Sequence, residues 1–485
     1  MEEALPDAPE EACGIFGIYA PAEPTAKLTY FGLYALQHRG QESAGITTFD
    51  LQGHSHTYKA MGLVAQIFNE AILTTLPGDI AIGHNRYSTT GSSQICNAQP
   101  VVVPTKLGDL ALAHNGNLVN ALELRAELSA QGISLTSSSD SEAIGWAVAE
   151  GVNQTGDWIR GTIEAVKRCR GAFSLAIGTP QGIMAIRDSY GVRPLVLGTL
   201  GEGKTVVASE TCALDIIGAE LVREVRPGEL VWIDGRGMVS HQWQEPNPKL
   251  CIFELIYFAR PDSINDRESL YAYRLRLGQI LALEAPVPAD LVIGVPDSGI
   301  PAAIGYSQTS GIPYGEGLIK NRYVGRTFIQ PTQTMRETGI RMKLNPLKDV
   351  LQGKRVIVVD DSIVRGTTSR KIVHTLREAG AIEVHMRISS PPVTHPCFYG
   401  IDTDSQDQLI GAKHTVAEIA QTIGVDSLAY LSEEGMLRAT ATNPENFCTA
   451  CFNGRYPIEV PDKLKRTKLL LEANDTSAVP PRLPS

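Results

Sequence analysis

Residues 356–369 read VIVVDDSIVRGTTS, which predicts a short strand, a loop and the start of a helix. The apolar, largely β-branched residues Val356–Val359 are typical of a strand buried in a parallel sheet. After the loop, apolar residues recur at helical spacing from Ile372 to Ala379, and Gly380 ends the pattern. A loop that joins a strand to a helix N-terminus favours phosphate, because unpaired backbone N–H groups and the helix dipole both attract an anion.

The side chains of this loop suit a phosphorylated ribose. Asp360 and Asp361 follow the strand directly, and carboxylates can accept hydrogen bonds from vicinal sugar hydroxyls or hold Mg²⁺. The hydroxyls of Thr367, Thr368 and Ser369 can donate to phosphate oxygens. The alternative is an ordinary strand-to-turn junction in which Thr367 or Thr368 caps the helix. Because all these features coincide within fourteen residues, the sequence favours a binding site for a ribose and its 5-phosphate.

The composition is that of an ordinary globular protein and argues against two classes of function. The 485 residues carry a net charge of −10, whereas a general nucleic-acid binder needs a basic surface. No apolar run approaches the roughly 18 residues that span a bilayer. Residues 1–12 are acidic and lack the regions of a secretion signal, so we expect a cytoplasmic protein. Eight cysteines in such a chain favour metal binding or catalysis over disulfides.

The two halves of the chain differ in their pattern of elements. Up to about Trp243, short strands alternate with glycine turns, and amphipathic helices interrupt them. The predicted strands are Cys13–Tyr19, Ala44–Phe49, Ile80–Asn85, Leu110–His114, Ala172–Ile177 and Gly182–Ile186, and the predicted helices are Leu28–Gln37, Leu118–Ala130 and Ser141–Ala149. After a break at Pro246–Pro248, strands alternate with helices from about Asp290. This alternation predicts an α/β domain with a parallel, doubly wound sheet and ligands at the carboxyl ends of its strands. The predicted elements there are Leu291–Val295, Pro301–Ser307, Gly317–Ile319, Val356–Val359 and Glu383–Ile388.

Two further segments of the second half suit a diphosphate. Gly294–Gly299 is a second glycine-punctuated turn after a strand. Lys320–Lys343 is irregular and holds six basic residues against one acid. An acidic protein that binds a highly charged anion needs such a local reversal of sign, and a loop of this length is often a functional lid. The alternative is a solvated basic loop.

This half resembles the type I phosphoribosyltransferases, and the loop at residues 356–369 resembles their phosphoribosylpyrophosphate (PRPP) loop. The resemblance implies that Asp360 and Asp361 hold the ribose hydroxyls and Mg²⁺, with Ser298 near the metal. It also implies that PRPP phosphates are bound by Asp297, Gly299, Lys320, Arg365, Gly366, Thr367, Thr368 and Ser369.

Cys13 begins the first predicted strand, and by itself it reads as a small buried residue. Three further stretches, HRGQESAG (38–45), GHNRYST (83–89) and HNGN (114–117), change that interpretation. With SDSE (139–142) they resemble the glutaminase domain of N-terminal nucleophile amidotransferases, an α+β fold with layers in the order αββα. The resemblance implies that Cys13 is the nucleophile, Asn115 and Gly116 form the oxyanion hole, and Arg86 and Asp140 bind glutamine. His38, His84 and His114 are then structural.

The chemistry explains why such a cysteine should be terminal. A thiol of pKa about 8.5 is only slightly ionised at neutral pH and needs a base. Removal of residues 1–12 would give Cys13 a free α-amine of pKa about 7.7–8.0, well placed to act as that base. We therefore expect residues 1–12 to be a propeptide.

Four cysteines carry a separate prediction. Cys448 and Cys451 form a CxxC pair, which alone is ambiguous among zinc, redox and iron–sulfur roles. Cys251 and Cys397 lie in stretches similar to the iron–sulfur subclass of amidophosphoribosyltransferases, which implies a [4Fe–4S] cluster on all four thiolates. A Cys₄ zinc site or a chance CxxC are the alternatives. The remaining cysteines, Cys96, Cys169 and Cys212, read as buried fillers.

Together the halves resemble the glutamine PRPP amidotransferase family over residues 13–460. The expected domains are a propeptide (1–12), a class II glutaminase domain (13–245), a phosphoribosyltransferase domain with the iron–sulfur ligands (246–460) and a tail (461–485). The resemblance implies one Mg²⁺ and one cluster per subunit, formation of 5-phosphoribosylamine from PRPP and glutamine, feedback by purine nucleotides and a homotetramer. Two rivals share half of these features: a sugar-phosphate aminating enzyme, which would need isomerase repeats, and a non-catalytic PRPP-sensing regulator.

Overall fold

The structure is a computed structural model that describes residues 13–87, 93–265, 267–321, 344–401 and 405–461. The expected propeptide, residues 462–485 of the tail, residues 322–343 of the basic segment, and Ser88 and Thr89 lie outside the described residues. Within the described ranges, no helix is long and apolar enough to cross a membrane.

Residues 13–242 form two mainly antiparallel sheets. Their strands are β1 (Gly14–Tyr19), β2 (Ser43–Phe49), β3 (Ser55–Met61), β4 (Ile80–Arg86), β5 (Val101–Thr105), β6 (Gly108–Leu118), β7 (Gly171–Thr179), β8 (Gly182–Arg187), β9 (Val196–Thr199), β10 (Thr205–Ala208), β11 (Glu220–Glu224), β12 (Glu229–Asp234) and β13 (Gly237–Gln242). The order is β11-β9-β10-β1-β4-β2-β3 in one sheet and β13-β12-β8-β7-β6-β5 in the other.

Helices cover the outer faces of both sheets. They are α1 (Thr25–Ala35), α2 (Val64–Ile67), α3 (Glu70–Leu73), α4 (Ala121–Ala130), α5 (Asp140–Thr155), α6 (Trp158–Val166) and α7 (Cys212–Asp215), with short 3₁₀ turns at Gln37–Arg39 and Ile95–Asn97. One apolar core lies between the sheets, and two more lie between each sheet and its helices. The result is the predicted αββα arrangement.

The second half contains a parallel sheet of four strands in the order β17-β20-β21-β22. The strands of the second half as a whole are β14 (Leu250–Cys251), β15 (Ile264–Asn265), β16 (Glu268–Ser269), β17 (Leu291–Gly294), β18 (Leu318–Lys320), β19 (Leu344–Pro346), β20 (Arg355–Asp360), β21 (Glu383–Ile388), β22 (Ser427–Tyr430) and β23 (Phe447–Cys448). Its helices are a π-helix (Glu254–Phe258), α8 (Leu270–Glu284), α9 (Ile300–Ser310), α10 (Lys348–Leu351), α11 (Thr367–Glu378), α12 (Ile410–Lys413), α13 (Val416–Ile423), α14 (Glu433–Arg438) and α15 (Ala450–Asn453), with 3₁₀ turns at Gln406–Gln408 and Pro444–Asn446.

The segment that joins the halves packs against the first one. Asn247 N donates to Ser189 O at 2.7 Å, and Lys249 N donates to Tyr190 O at 2.7 Å. Next, β14 pairs in parallel with β23, which places Cys251 opposite Cys448. The junction is therefore built from both halves and from the C-terminal segment.

The predicted fold class is confirmed, but three details of the prediction are wrong. The predicted strand Gly317–Ile319 belongs to an antiparallel pair, β18 with β19, at the base of the basic segment and outside the parallel sheet. β6 runs on through the HNGN stretch to Leu118, because it keeps pairing with β7. Cys96 is exposed, since it lies on a surface 3₁₀ turn whose Ile95 is 49% exposed.

Candidate active site

The thiol of Cys13 is buried at the start of β1. Its Sγ donates to Tyr87 O at 3.4 Å. Burial raises the pKa of the Cys13 thiol to about 12, although Arg86 acts in the opposite direction. The resting thiol is therefore almost wholly protonated near neutral pH, and attack on a carbonyl requires a base.

Three charged side chains act on this thiol: Arg86, Glu42 and Asp140. Arg86 is buried and pairs with Glu42 at 3.5 Å, between Nη1 and Oε2. Burial opposes ionisation of Asp140, but His114 and several hydrogen bonds outweigh it and hold the pKa of this carboxyl below its usual range. Arg86 and Asp140 carry charges opposite to those of the α-carboxylate and the α-ammonium of an amino acid.

The two predicted oxyanion residues lie in β6. Asn115 is 0% exposed, and neither its Oδ1 nor its Nδ2 has a hydrogen-bond partner among the described residues. Gly116 has φ +148°, and a Cβ there would lie 2.0 Å from Ala172 O, so only glycine fits. A buried, unpaired amide costs about 1–3 kcal/mol. Both polar atoms of this amide are thus free to bond to a ligand.

A buried network behind these residues was missed from the sequence. Gln99 Oε1 accepts from His114 N at 2.8 Å, and Gln99 Nε2 donates to Ser141 Oγ at 3.0 Å. His114 Nδ1 lies 3.1 Å from the same hydroxyl and 3.5 Å from Asp140 Oδ1. His84 Nε2 lies 3.0 Å from His114 O, and burial lowers the pKa of His84 to about 3. These contacts agree with a supporting role for both histidines.

The acidic pair of the second half lies at the end of β20. Asp360 and Asp361 are 8% and 5% exposed. Ser298 Oγ donates to Asp361 Oδ1 at 2.5 Å, so the two predicted loops meet at this point. α11 begins at Thr367, with Gly366 at the cap position (φ +82°) and no described side chain capping it. Because glycine has no side chain, neither Thr367 nor Thr368 is the N-cap, and the helix-cap alternative is wrong.

Two of the predicted diphosphate residues, Asp297 and Gly299, lie at the same edge of the sheet as the acidic pair. Because β17 and β20 are adjacent and parallel, their carboxyl ends point the same way. A Cβ on Gly299 would lie 2.4 Å from Val359 O, which shows how closely the two loops approach. Lys320 Nζ pairs with Asp297 Oδ2 at 2.7 Å.

The four cysteines predicted to act together line one cavity. Cys251, Cys397, Cys448 and Cys451 surround it with Arg193, which is 0% exposed. Arg193 Nη2 has no hydrogen-bond partner in the described part of the chain. Tyr399 N donates to Cys397 Sγ at 3.4 Å. Across the described ranges, no group of three or more His, Cys, Asp or Glu side chains is arranged to hold a single metal ion.

The fold of this chain is that of an enzyme with two domains. A class II, N-terminal nucleophile glutamine amidotransferase domain is joined to a phosphoribosyltransferase domain. A family profile described as "Glutamine amidotransferase domain" matches residues 84–215, and one described as "Phosphoribosyl transferase domain" matches residues 276–389. The chain belongs to the amidophosphoribosyltransferase family, the enzymes of the first step of purine biosynthesis. Both rivals are thereby set aside.

Relatives and solved structures agree over nearly the whole length. The amidophosphoribosyltransferase of Synechocystis sp. is 68% identical over 471 residues, which cover 96% of this chain and 95% of the relative. That of Synechococcus elongatus is 66% identical with the same coverage. Among solved structures, an allosteric regulatory enzyme of purine biosynthesis matches with TM-score 0.87 and 47% identity, covering 93% of this chain and 97% of that one. The glutamine PRPP amidotransferase of B. subtilis, complexed with ADP and GMP, matches with TM-score 0.86 and 47% identity, covering 93% and 98%.

Proposed function

We propose that the chain converts PRPP, glutamine and water into 5-phosphoribosylamine, glutamate and diphosphate, with its chemistry divided between two sites. Glutamine is hydrolysed at Cys13, and PRPP is aminated at the loop that follows β20. The observation that carries the first site is the fully buried, unpartnered amide of Asn115. It lies on β6, the strand whose Leu118 N donates to Asp140 Oδ2 at 2.9 Å, and the charge of Asp140 acts on Cys13.

Glutamine hydrolysis follows from the chemistry of the Cys13 terminus. Once residues 1–12 are removed, the α-amine takes the thiol proton while Sγ attacks the amide carbon. The developing oxyanion accepts hydrogen bonds from Asn115 Nδ2 and Gly116 N, a contribution of roughly 3–4 kcal/mol. Ammonia leaves with the proton, and water then cleaves the thioester to give glutamate. Arg86 binds the α-carboxylate and Asp140 the α-ammonium of glutamine.

Amination of PRPP occurs at the carboxyl end of the parallel sheet. Asp360 and Asp361 accept hydrogen bonds from the ribose hydroxyls. The 5-phosphate is bound by Arg365–Ser369, at the N-terminus of α11. The turn that contains Asp297 and Gly299 holds the diphosphate together with the ammonium group of Lys320. The C1–N bond forms from the lone pair of ammonia as the C1–O bond to diphosphate breaks.

The acidic loop also suits Mg²⁺, which prefers carboxylate and hydroxyl oxygens. Asp360, Asp361 and Ser298 supply such oxygens, and the last two are already in contact. A bound Mg²⁺ would neutralise charge on the diphosphate as it leaves.

The cysteine cavity suits an iron–sulfur cluster, which would place the chain in that subclass. Four thiols line an enclosed space together with the buried cation Arg193, and four thiolates complete a [4Fe–4S] site. The cluster would be held by β14, the loop of Cys397 and the CxxC segment, so it would tie the domain junction together.

The remaining parts of the proposal concern organisation and regulation. The domains are those expected from the sequence: a propeptide at 1–12, a glutaminase domain at 13–245, a transferase domain at 246–460 and a tail at 461–485. Purine nucleotides are the proposed feedback inhibitors, supported by the B. subtilis complex with ADP and GMP. We expect a cytoplasmic homotetramer.

The test uses full-length protein purified without oxygen. Mass spectrometry should show Cys13 as the first residue, and chemical analysis should find about four irons and four sulfides per chain. Glutamine hydrolysis should require PRPP and should vanish in Cys13→Ala. The matched control is Cys169→Ala, which removes an equally buried thiol outside the proposed sites. Hydrolysis that is indifferent to PRPP, or that survives Cys13→Ala, contradicts the proposal.

A further inference from the structure

A buried carboxylate stands between the two proposed sites. Glu254 begins the π-helix Glu254–Phe258 and is 0% exposed. Its Oε2 accepts from Arg39 Nη2 at 2.5 Å, and its Oε1 accepts from Arg193 Nη1 at 2.9 Å. Arg39 also pairs with the buried Glu210. These four residues, here called the Glu254 network, balance two positive and two negative charges inside the domain junction.

One arm of the network reaches the nucleophile. Arg39 ends a 3₁₀ turn, and its Cβ lies 3.5 Å from where a Cβ on Gly14 would be. Gly14 directly follows Cys13. At the next position, a Cβ on Gly40 would lie 2.6 Å from the carbonyl carbon of Asn85, so the backbone here packs tightly on the end of β4.

The other arm reaches the oxyanion hole. Arg193 Nε donates to Tyr399 O at 2.9 Å, and Asn117 Nδ2 donates to Phe398 O at 2.9 Å. A Cβ on Gly400 would lie 2.9 Å from the Cα of Gly116. The loop held by Arg193 thus supports the backbone that is proposed to bind the oxyanion.

The π-helix also shares one apolar core with the PRPP loop, because Leu255 and Ile256 belong to the same buried cluster as Val364. Arg274, buried in α8, donates from Nε to Leu255 O at 2.8 Å and from Nη2 to Ala259 O at 2.6 Å. The charge of Asp361 acts on this guanidinium. π-helices are rare and occur frequently at functional sites.

We propose that Glu254 is a positioning residue that fixes the position of Cys13 relative to the oxyanion hole. Through the π-helix it also couples that relative position to the conformation of the PRPP loop. The inference rests on the proposed function of both sites. Its physical basis is that one carboxylate holds two guanidinium groups, each braced against a different half of the glutaminase site. The alternative is that the Glu254 network only stabilises the domain junction.

The test is Glu254→Gln in the full-length protein, with Glu229→Gln as the matched control. Glu229 is equally buried and accepts from Arg223 at 2.8 Å, but it lies on β12, outside both proposed sites. In Glu254→Gln, kcat for glutamine hydrolysis should fall by about tenfold or more and its stimulation by PRPP should be lost. Amination of PRPP with ammonia should stay within about twofold of wild type, and Glu229→Gln should keep both activities.

The outcomes separate the two roles of Glu254. A structural role alone would lower the glutamine and ammonia reactions in parallel, or would leave the PRPP response intact, and either result overturns the inference. Glu254→Asp keeps the charge but is one methylene too short to hold both guanidinium groups. It should lose most of the PRPP stimulation, and it decides the matter if Glu254→Gln does not fold. If the Glu254 variants hydrolyse glutamine like wild type, and wild-type hydrolysis depends on Cys13, only this inference is refuted. Glutamine hydrolysis that persists without Cys13 refutes the proposed function.

Discussion

Replacing Asn115 by alanine should strongly slow glutamine hydrolysis while leaving the ammonia-driven reaction and the stability of the protein nearly unchanged. The side-chain amide has no partner among the described residues, so the substitution breaks no hydrogen bond in the resting protein. Loss of a buried, unpaired amide is worth about 1–3 kcal/mol of stability, and the small cavity left behind costs a similar amount, so the two nearly cancel. In the transition state the same amide is an oxyanion donor, and its loss should lower kcat about 10²–10³-fold, or roughly 3–4 kcal/mol.

The assay compares glutamine hydrolysis, ammonia-driven amination of PRPP and unfolding by urea. Asn120→Ala is the matched control with the opposite pattern, because Asn120 donates to Arg168 O at 2.9 Å and accepts from Arg170 N at 2.8 Å. It should lose about 1–3 kcal/mol of stability and little activity. The reasoning is refuted if Asn115→Ala keeps glutamine hydrolysis within about tenfold of wild type, or if it loses the ammonia reaction as well.

Three further predictions concern the other groups. Asp361→Asn should abolish amination of PRPP from either nitrogen donor, and calorimetry should show weaker PRPP binding in the presence of Mg²⁺. Because burial lowers the pKa of His84 to about 3, the unfolded chain binds a proton below pH ~6.5 that the folded protein does not, so stability should fall as the pH drops. His84→Gln should reduce the loss of unfolding free energy between pH 7 and pH 5 by about 2 kcal/mol, measured by urea titration. Protein purified without oxygen should show the visible absorbance of the proposed cluster; Cys451→Ser should lose this absorbance, whereas Cys169→Ser should retain it.

The sequence predicted best where the chemistry is local. In residues 356–369, strand, carboxylates and helix start are contiguous, so their order alone places Asp360 and Asp361 beside the start of α11. The αββα class and the proposed roles of Asn115 and Gly116 came from the resemblance, since no local pattern shows which residues lie near Cys13.

What could not be predicted depends on contacts distant in sequence. Arg39, Arg193, Glu210 and Glu254 come from separate segments, and nothing in their neighbours indicates that their charges meet. The shared cavity of the four cysteines depends on the pairing of β14 with β23, two strands of only two residues each. Such short elements carry no periodicity to read.

The central claim is that one chain divides its chemistry between a thiol that releases ammonia and a separate loop that activates PRPP. The most direct measurement is the rate of phosphoribosylamine formation by Cys13→Ala with glutamine and then with ammonia as the nitrogen donor. The account predicts that the glutamine-driven rate disappears while the ammonia-driven rate stays within about twofold of wild type. Retention of the glutamine reaction, or loss of both, would contradict it.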